Sequence, residues 1–155
     1  MAEKKTALVV GLGLIGGSVA MALRGFEDYR VVGTDCSAQT RSYAAAHGVC
    51  DEVAERVEDV LGQADVVLFA MRPHGIAQQI EAFRDSFKPG ALVTDVGGIK
   101  GAIMEAAQCL PDTVDFIGCH PMAGKETSGV ENAEKELFHN AHFILTPRPR
   151  STQEH

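Results

Sequence analysis

The run Gly11-Leu12-Gly13-Leu14-Ile15-Gly16-Gly17-Ser18 carries the spacing G-x-G-x-x-G, and the chemistry open to it is the binding of a dinucleotide pyrophosphate by bare backbone. Gly11 allows a tight turn. Gly13 lets a phosphate approach because it has no Cβ, and Gly16 lets the following helix pack close to the preceding strand. Free N–H groups where that helix opens, at Leu14 and Ile15, face the phosphates with help from the helix dipole. Asp35 follows Gly11 by 24 positions and Gly16 by 19, where a carboxylate accepts from adenosine ribose hydroxyls and repels a 2′-phosphate. NAD is therefore favoured over NADP, with Arg41 the nearby cation that softens the preference. Such glycines can also serve a turn alone. Here strand, loop, helix, second strand and terminal Asp arrive in the order that dinucleotide binding requires.

A second group lies downstream. Ala70 and Met71 end the third candidate strand and complete the expected cofactor contacts. One later strand runs into Asp95-Val96-Gly97-Gly98-Ile99-Lys100, and another into Cys119-His120-Pro121-Met122-Ala123-Gly124. In an open parallel sheet ligands bind beyond the carboxyl ends of the strands, which puts Gly97, Gly98, Lys100 and His120 on the ligand side. An imidazole with an ordinary pKa near ~6.5 can take a hydroxyl proton at neutral pH, as alcohol oxidation requires. A His-Pro pair at a strand end can equally do no more than shape a turn, and position alone leaves both roles open. His47, His74, His139 and His142 read as surface or structural.

These residues need a scaffold. Short apolar runs at 6–10, 30–34, 66–70, 91–95, 115–119 and 142–146 alternate with helical patterns at 14–24, 37–47, 73–87 and 99–110. That alternation is the mark of an α/β Rossmann-type fold, a doubly wound and mostly parallel sheet with helices on both faces. Several runs are apolar throughout, as strands covered on both sides should be. Ser37 is placed to cap the second helix, and Pro73 suits the first turn of the third. The expected division is a dinucleotide-binding domain over 1–147, followed by a polar tail or the start of a connection over 148–155.

Composition narrows the rest. At 155 residues one domain is expected, and 45% hydrophobic with 23% charged residues is ordinary for a globular chain. No segment approaches the ~20 apolar residues of a membrane span. A net charge of -7, without a basic run, argues against nucleic-acid binding. The glycine-broken start lacks a cleavage site, so a cytoplasmic location is expected. Cys36, Cys50, Cys109 and Cys119 form no C-x-x-C pair and read as reduced thiols without metal.

On G-L-G-L-I-G-G-S, Asp95-Val96-Gly97 with Lys100, His120-Pro121-Met122-Ala123-Gly124, Ser128-Gly129-Val130, Leu137-Phe138 and Ile144-Leu145-Thr146-Pro147, the chain resembles the prephenate and arogenate dehydrogenases. The likeness runs through nearly the whole chain to Pro147. It implies NAD-dependent oxidative decarboxylation of prephenate or arogenate in tyrosine biosynthesis, with His120 matching the catalytic histidine and Gly98 and Lys100 near substrate or orienting the site. Many relatives carry a serine where this chain has Gly98, so a hydrogen bond to the histidine is lost. Relatives also continue into a helical domain that forms a homodimer and supplies basic residues for the substrate carboxylates. The alternatives are a stand-alone NAD(H)-binding module without turnover, and a β-hydroxyacid-type dehydrogenase, against which the H-P-M-A-G segment argues.

Overall fold

The protein is described by a computed structural model covering residues 3–149. Five largely apolar segments form a parallel sheet. They are β1 (Lys5–Val10), β2 (Tyr29–Thr34), β4 (Val66–Phe69), β5 (Leu92–Asp95) and β6 (Asp115–Pro121). Of these, β1 and β2 are buried on both faces over most of their length, and β4 and β5 are fully buried on one face and partly on the other. A short β3 (Glu52–Val53) joins one edge and an antiparallel β7 (Phe143–Pro147) the other, giving the order β3-β2-β1-β4-β5-β6-β7. Two residues are too few to show the alternation of a strand, so β3 has no sequence signature.

Between the strands lie α1 (Leu14–Leu23), α2 (Ala38–Ala46), α3 (Pro73–Ala82) and α4 (Gly101–Ala107). Ser37 caps α2 by accepting from the Thr40 amide, and Pro73 occupies the first turn of α3. Alternating side chains divide the core between the two faces. Leu8, Val10, Val32, Phe69 and Phe116 join Ile76, Ile80 and Ile103 of α3 and α4 on one side, while Val9, Val31 and Leu12 join Ala20 and Ala44 of α1 and α2 on the other. Helices thus cover both faces, and the chain order reverses between β1 and β4, where the glycine loop emerges.

Three expectations are corrected. The third helix stops at Ala82, not 87; a turn from Phe83 leads to Pro89-Gly90 and tucks Phe87 edge-on against Phe69. The fourth spans 101–107 and not 99–110, because the Gly97-Gly98 turn leaves Ile99 exposed and the residues after Ala107 tighten into shorter-range bonds. Finally, β6 runs on to Pro121 through pairing with β7, so His120 sits inside a strand and not beyond its end. Arg148, the first residue of the expected tail, is buried and donates to the Ala107 and Val114 carbonyls; residues 150–155 lie outside the described residues. All four cysteines are free, and no helix among the described residues is long and apolar enough to cross a membrane.

Candidate cofactor and catalytic site

The three glycines of the loop do three different jobs. Gly11 has φ +97°, and a Cβ there would lie 2.3 Å from the Ala70 carbonyl oxygen. At Gly16 a Cβ would fall 1.8 Å from the Gly11 oxygen and 2.9 Å from the Ala70 Cβ. Both positions are closed to any side chain by neighbouring backbone. Gly13 differs: it precedes α1 with ordinary φ of -76°, and a Cβ there meets nothing within 4 Å. The open space lies over the free N–H groups of a helix start, where an anion is favoured. Leu14 is buried beneath it, while Ile15, Ala70 and Met71 are half-buried around it.

Asp35 leaves β2 with both carboxylate oxygens engaged, accepting from the Leu12 amide at 2.8 Å and the Ser37 amide at 2.9 Å. It therefore holds the glycine loop as well as presenting a charge. Arg41 does not neutralise that charge directly; its guanidinium donates to the Asp35 carbonyl at 2.7 Å and the Cys36 carbonyl at 3.3 Å. The carboxylate remains an acceptor. A donor set of loop amides, an open Gly13 and a carboxylate at the end of β2 fits a dinucleotide without a 2′-phosphate.

At the other end of the sheet the structure gathers Gly97, Gly98, Lys100 and His120. The Gly97 amide donates to Asp95 at 2.8 Å, and a Cβ on Gly97 would meet Ile103 at 2.7 Å, so this residue faces inward. Lys100, expected on the ligand side, turns back. Its ammonium pairs with the Asp95 carboxylate and donates to the Cys119 carbonyl. His120 is half-buried, its Nδ1 has no hydrogen-bond partner among the described residues, and a Cβ on Gly98 would stand 2.9 Å from its Cε1 and 3.2 Å from Nδ1. With no side chain at Gly98, nothing from that turn fills the space in front of the ring. The Cys119 thiol is no competing nucleophile, since burial pushes its pKa up, against the pull of Lys100. His47, His74, His139 and His142 are exposed, with His47 stacked on Tyr43.

Two functional features escape a reading of local motifs. Asp95 is a hub whose partners are the residues just named. The excursion 122–141, between β6 and β7, crosses to the other face of the sheet, where Val130 is buried and the Glu134 amide donates to Ser18 Oγ at 2.9 Å. A Cβ on Gly17 would stand 2.9 Å from that of Ala133, so Gly17 makes the seat. Lys125 braces the excursion through the Asn132 carbonyl and the Glu134 carboxylate. Together with Gly13, Thr40 and Tyr43, residues 129–131 line a cleft of about 440 Å³ beside the glycine loop.

The family described as prephenate dehydrogenase, nucleotide-binding domain, matches residues 19–155. Prephenate dehydrogenase of Bacillus subtilis (strain 168) is 36% identical over 154 residues, covering 97% of this chain and 42% of that protein. The crystal structure of Synechocystis arogenate dehydrogenase superimposes with a TM-score of 0.87 at 33% identity, covering 96% of this chain and 52% of that one. Prephenate dehydrogenase from A. aeolicus, in complex with hydroxyphenyl propionate and NAD+, gives 0.87 at 28% identity over 99% and 54% of the two chains. The chain spans about half the length of the relatives it matches. Fold, glycine loop, histidine strand and family match agree: this chain belongs to the prephenate dehydrogenase family, as its nucleotide-binding domain.

Proposed function

We propose that this chain is the cofactor-binding and histidine-bearing part of an NAD-dependent dehydrogenase that oxidatively decarboxylates prephenate or arogenate in tyrosine biosynthesis. The observation that supports the reading is that Gly13, where a Cβ would meet nothing within 4 Å, and the half-buried imidazole of His120 both lie at the carboxyl ends of parallel strands of one sheet, β1 and β6. Gly11, Gly13, Leu14, Ile15 and Gly16 would hold the pyrophosphate and Asp35 the adenosine ribose, with Ala70, Met71 and the backbone of Gly97 as the remaining cofactor contacts. NAD, when bound, supplies the hydride acceptor. His120 accepts the proton of the ring hydroxyl as the carbon beneath is oxidised, and loss of CO₂ then makes the ring aromatic; the proton can return to the phenolate oxygen.

The whole reaction takes more than this half. Holding substrate against cofactor is worth ~7–11 kcal/mol of barrier, and the reading assigns substrate carboxylate binding and homodimer formation to a helical domain of the family-length protein, working in the cytoplasm. Titration of the chain with NADH and NADPH is the direct test. NADH should bind more tightly, and equal or tighter NADPH binding would overturn the cofactor assignment. Fused to the C-terminal half of the B. subtilis relative, the chain should oxidise prephenate or arogenate, and His120→Asn should lower kcat by ~10²–10⁴ with NAD affinity nearly unchanged. Full activity in that variant would remove His120 from the chemistry.

A further inference from the structure

We infer that Asp95 is a positioning residue for His120, acting through Lys100 and the peptide groups of Cys119. The inference rests on the proposed role of His120 and deepens it. The ladder between β5 and β6 ends at the pair Thr94–Ile117, two residues short of Cys119, because β5 gives way there to the Gly97-Gly98 turn. Beyond that point the backbone of β6 needs new partners on this side. Asp95 and Lys100 provide them. One oxygen of the fully buried Asp95 accepts from the Cys119 amide at 3.2 Å, and the other accepts from the Gly97 amide and the Lys100 ammonium. That ammonium also donates to the Cys119 carbonyl. Both polar groups of the residue before His120 are therefore held by one ion pair, while pairing with Ile144 of β7 holds His120 from the other side.

Among the described residues nothing else fixes the imidazole by a polar bond at Nδ1. Its aim is set by the backbone it hangs from and by contact with the bare Gly98 turn, which the same Asp95 carboxylate anchors through Gly97. A buried pair that serves geometry in this way need add little stability, since desolvating the two charges offsets much of their attraction. Lys100 is thereby committed inward and is not the cation that meets a substrate carboxylate.

The test compares Asp95→Asn, Lys100→Met and Lys100→Arg in the chain itself, reading the ¹⁵N resonances of the His120 ring and the NADH affinity. Asp95→Asn keeps an acceptor oxygen but removes the charge. In Asp95→Asn and Lys100→Met the ring resonances should shift or broaden while NADH affinity stays within threefold, and Lys100→Arg should restore much of the native signature. In the fusion described above, the first two should lower kcat at least tenfold with KM for NAD nearly unchanged. Folded variants with native ring resonances and kcat would overturn the proposal, whereas loss of NADH binding by the unmodified chain would overturn the underlying function instead. Should the variants not fold, the unmodified protein decides: a Lys100 ammonium that exchanges its protons as slowly as a buried, bonded group supports the clamp, and exchange at the rate of a free lysine sinks it.

Discussion

The two ends of the sheet are finished to different degrees. Around β1 and β2 the groups that hold the loop in shape are engaged, while the amides of the helix start stay free: the Gly11 amide is on Thr34, the Ala70 amide on Val10, both oxygens of Asp35 accept, and Arg41 reaches across the turn. Around β6 and β7 the imidazole Nδ1 has no partner among the described residues, and Ile99, Met122, Phe143, Ile144 and Leu145 are 73%, 55%, 48%, 54% and 62% exposed. An apolar rim of that kind beside a polar group marks a surface built to meet something else. The loop end is preorganised within this chain, and the His120 end is only half enclosed. Binding and turnover should therefore separate cleanly when each end is altered.

Gly16→Val should have the largest effect, because its Cβ is driven into backbone: about 3 kcal/mol or more of stability lost, together with cofactor binding, by chemical denaturation and calorimetry. Gly13→Val is its sharpest contrast. It should lower NADH affinity at least ~100-fold, because its side chain fills the pyrophosphate seat, yet cost only about 1 kcal/mol of stability for an inferior helix start. If Gly13→Val binds normally, the open space at this position is not the phosphate seat and the comparison of the two ends fails. Asp35→Asn should narrow the preference for NADH over NADPH by ~1–3 kcal/mol and weaken both ligands, since the loop loses part of its anchor.

At the other end, Gly98→Ser should change stability by no more than ~1 kcal/mol, the ring giving way by a few tenths of an ångström. It should move the His120 ring resonances as its hydroxyl reaches Nδ1, and unchanged resonances would mean that the bare nitrogen is not what the serine of relatives satisfies. The smallest effect concerns the opposite edge of the sheet. Asp51 is held below the ordinary carboxylate range first by the Val31 amide, against burial, with help from Arg24; for Asp65 burial pushes up, and Lys88 and the Thr6 amide bring the balance down. The unfolded chain therefore binds these protons at higher pH, so their contribution is complete above about pH 4–5 and lost as pH falls through the lower folded values. Asp51→Asn and Asp65→Asn should each flatten the acid limb of the stability curve by less than ~1 kcal/mol, with NADH affinity untouched at neutral pH.

What could be read in advance follows from how local each cause is. Strands buried on both faces announce themselves as apolar runs, and β1, β2, β4 and β5 lie within a residue of expectation. The glycine spacing is legible because the motif itself is local, although the contact that closes Gly11 to a side chain comes from Ala70 on β4, far along the chain. Asp95 was visible only as part of a motif, since its role depends on Cys119, 24 positions on. Lys100 was placed on the ligand side by its position at a strand end, but no local rule says which way a long flexible side chain will turn. The excursion 122–141 has no strong periodicity, and its seat is a glycine whose purpose appears only with its partner in place.

That seat carries a consequence for how the protein is made. The bond from the Glu134 amide to Ser18 joins residues 116 positions apart, and Val130 completes the packing around α1. A contact of that separation closes late, after the loop entropy between its ends has been overcome. During synthesis α1 leaves the ribosome 116 positions ahead of this partner, so the face that the excursion covers stays bare until the chain past Glu134 has emerged. A nascent chain stopped short of residue 134 would have every glycine of the loop and still lack the finished helix that the loop serves.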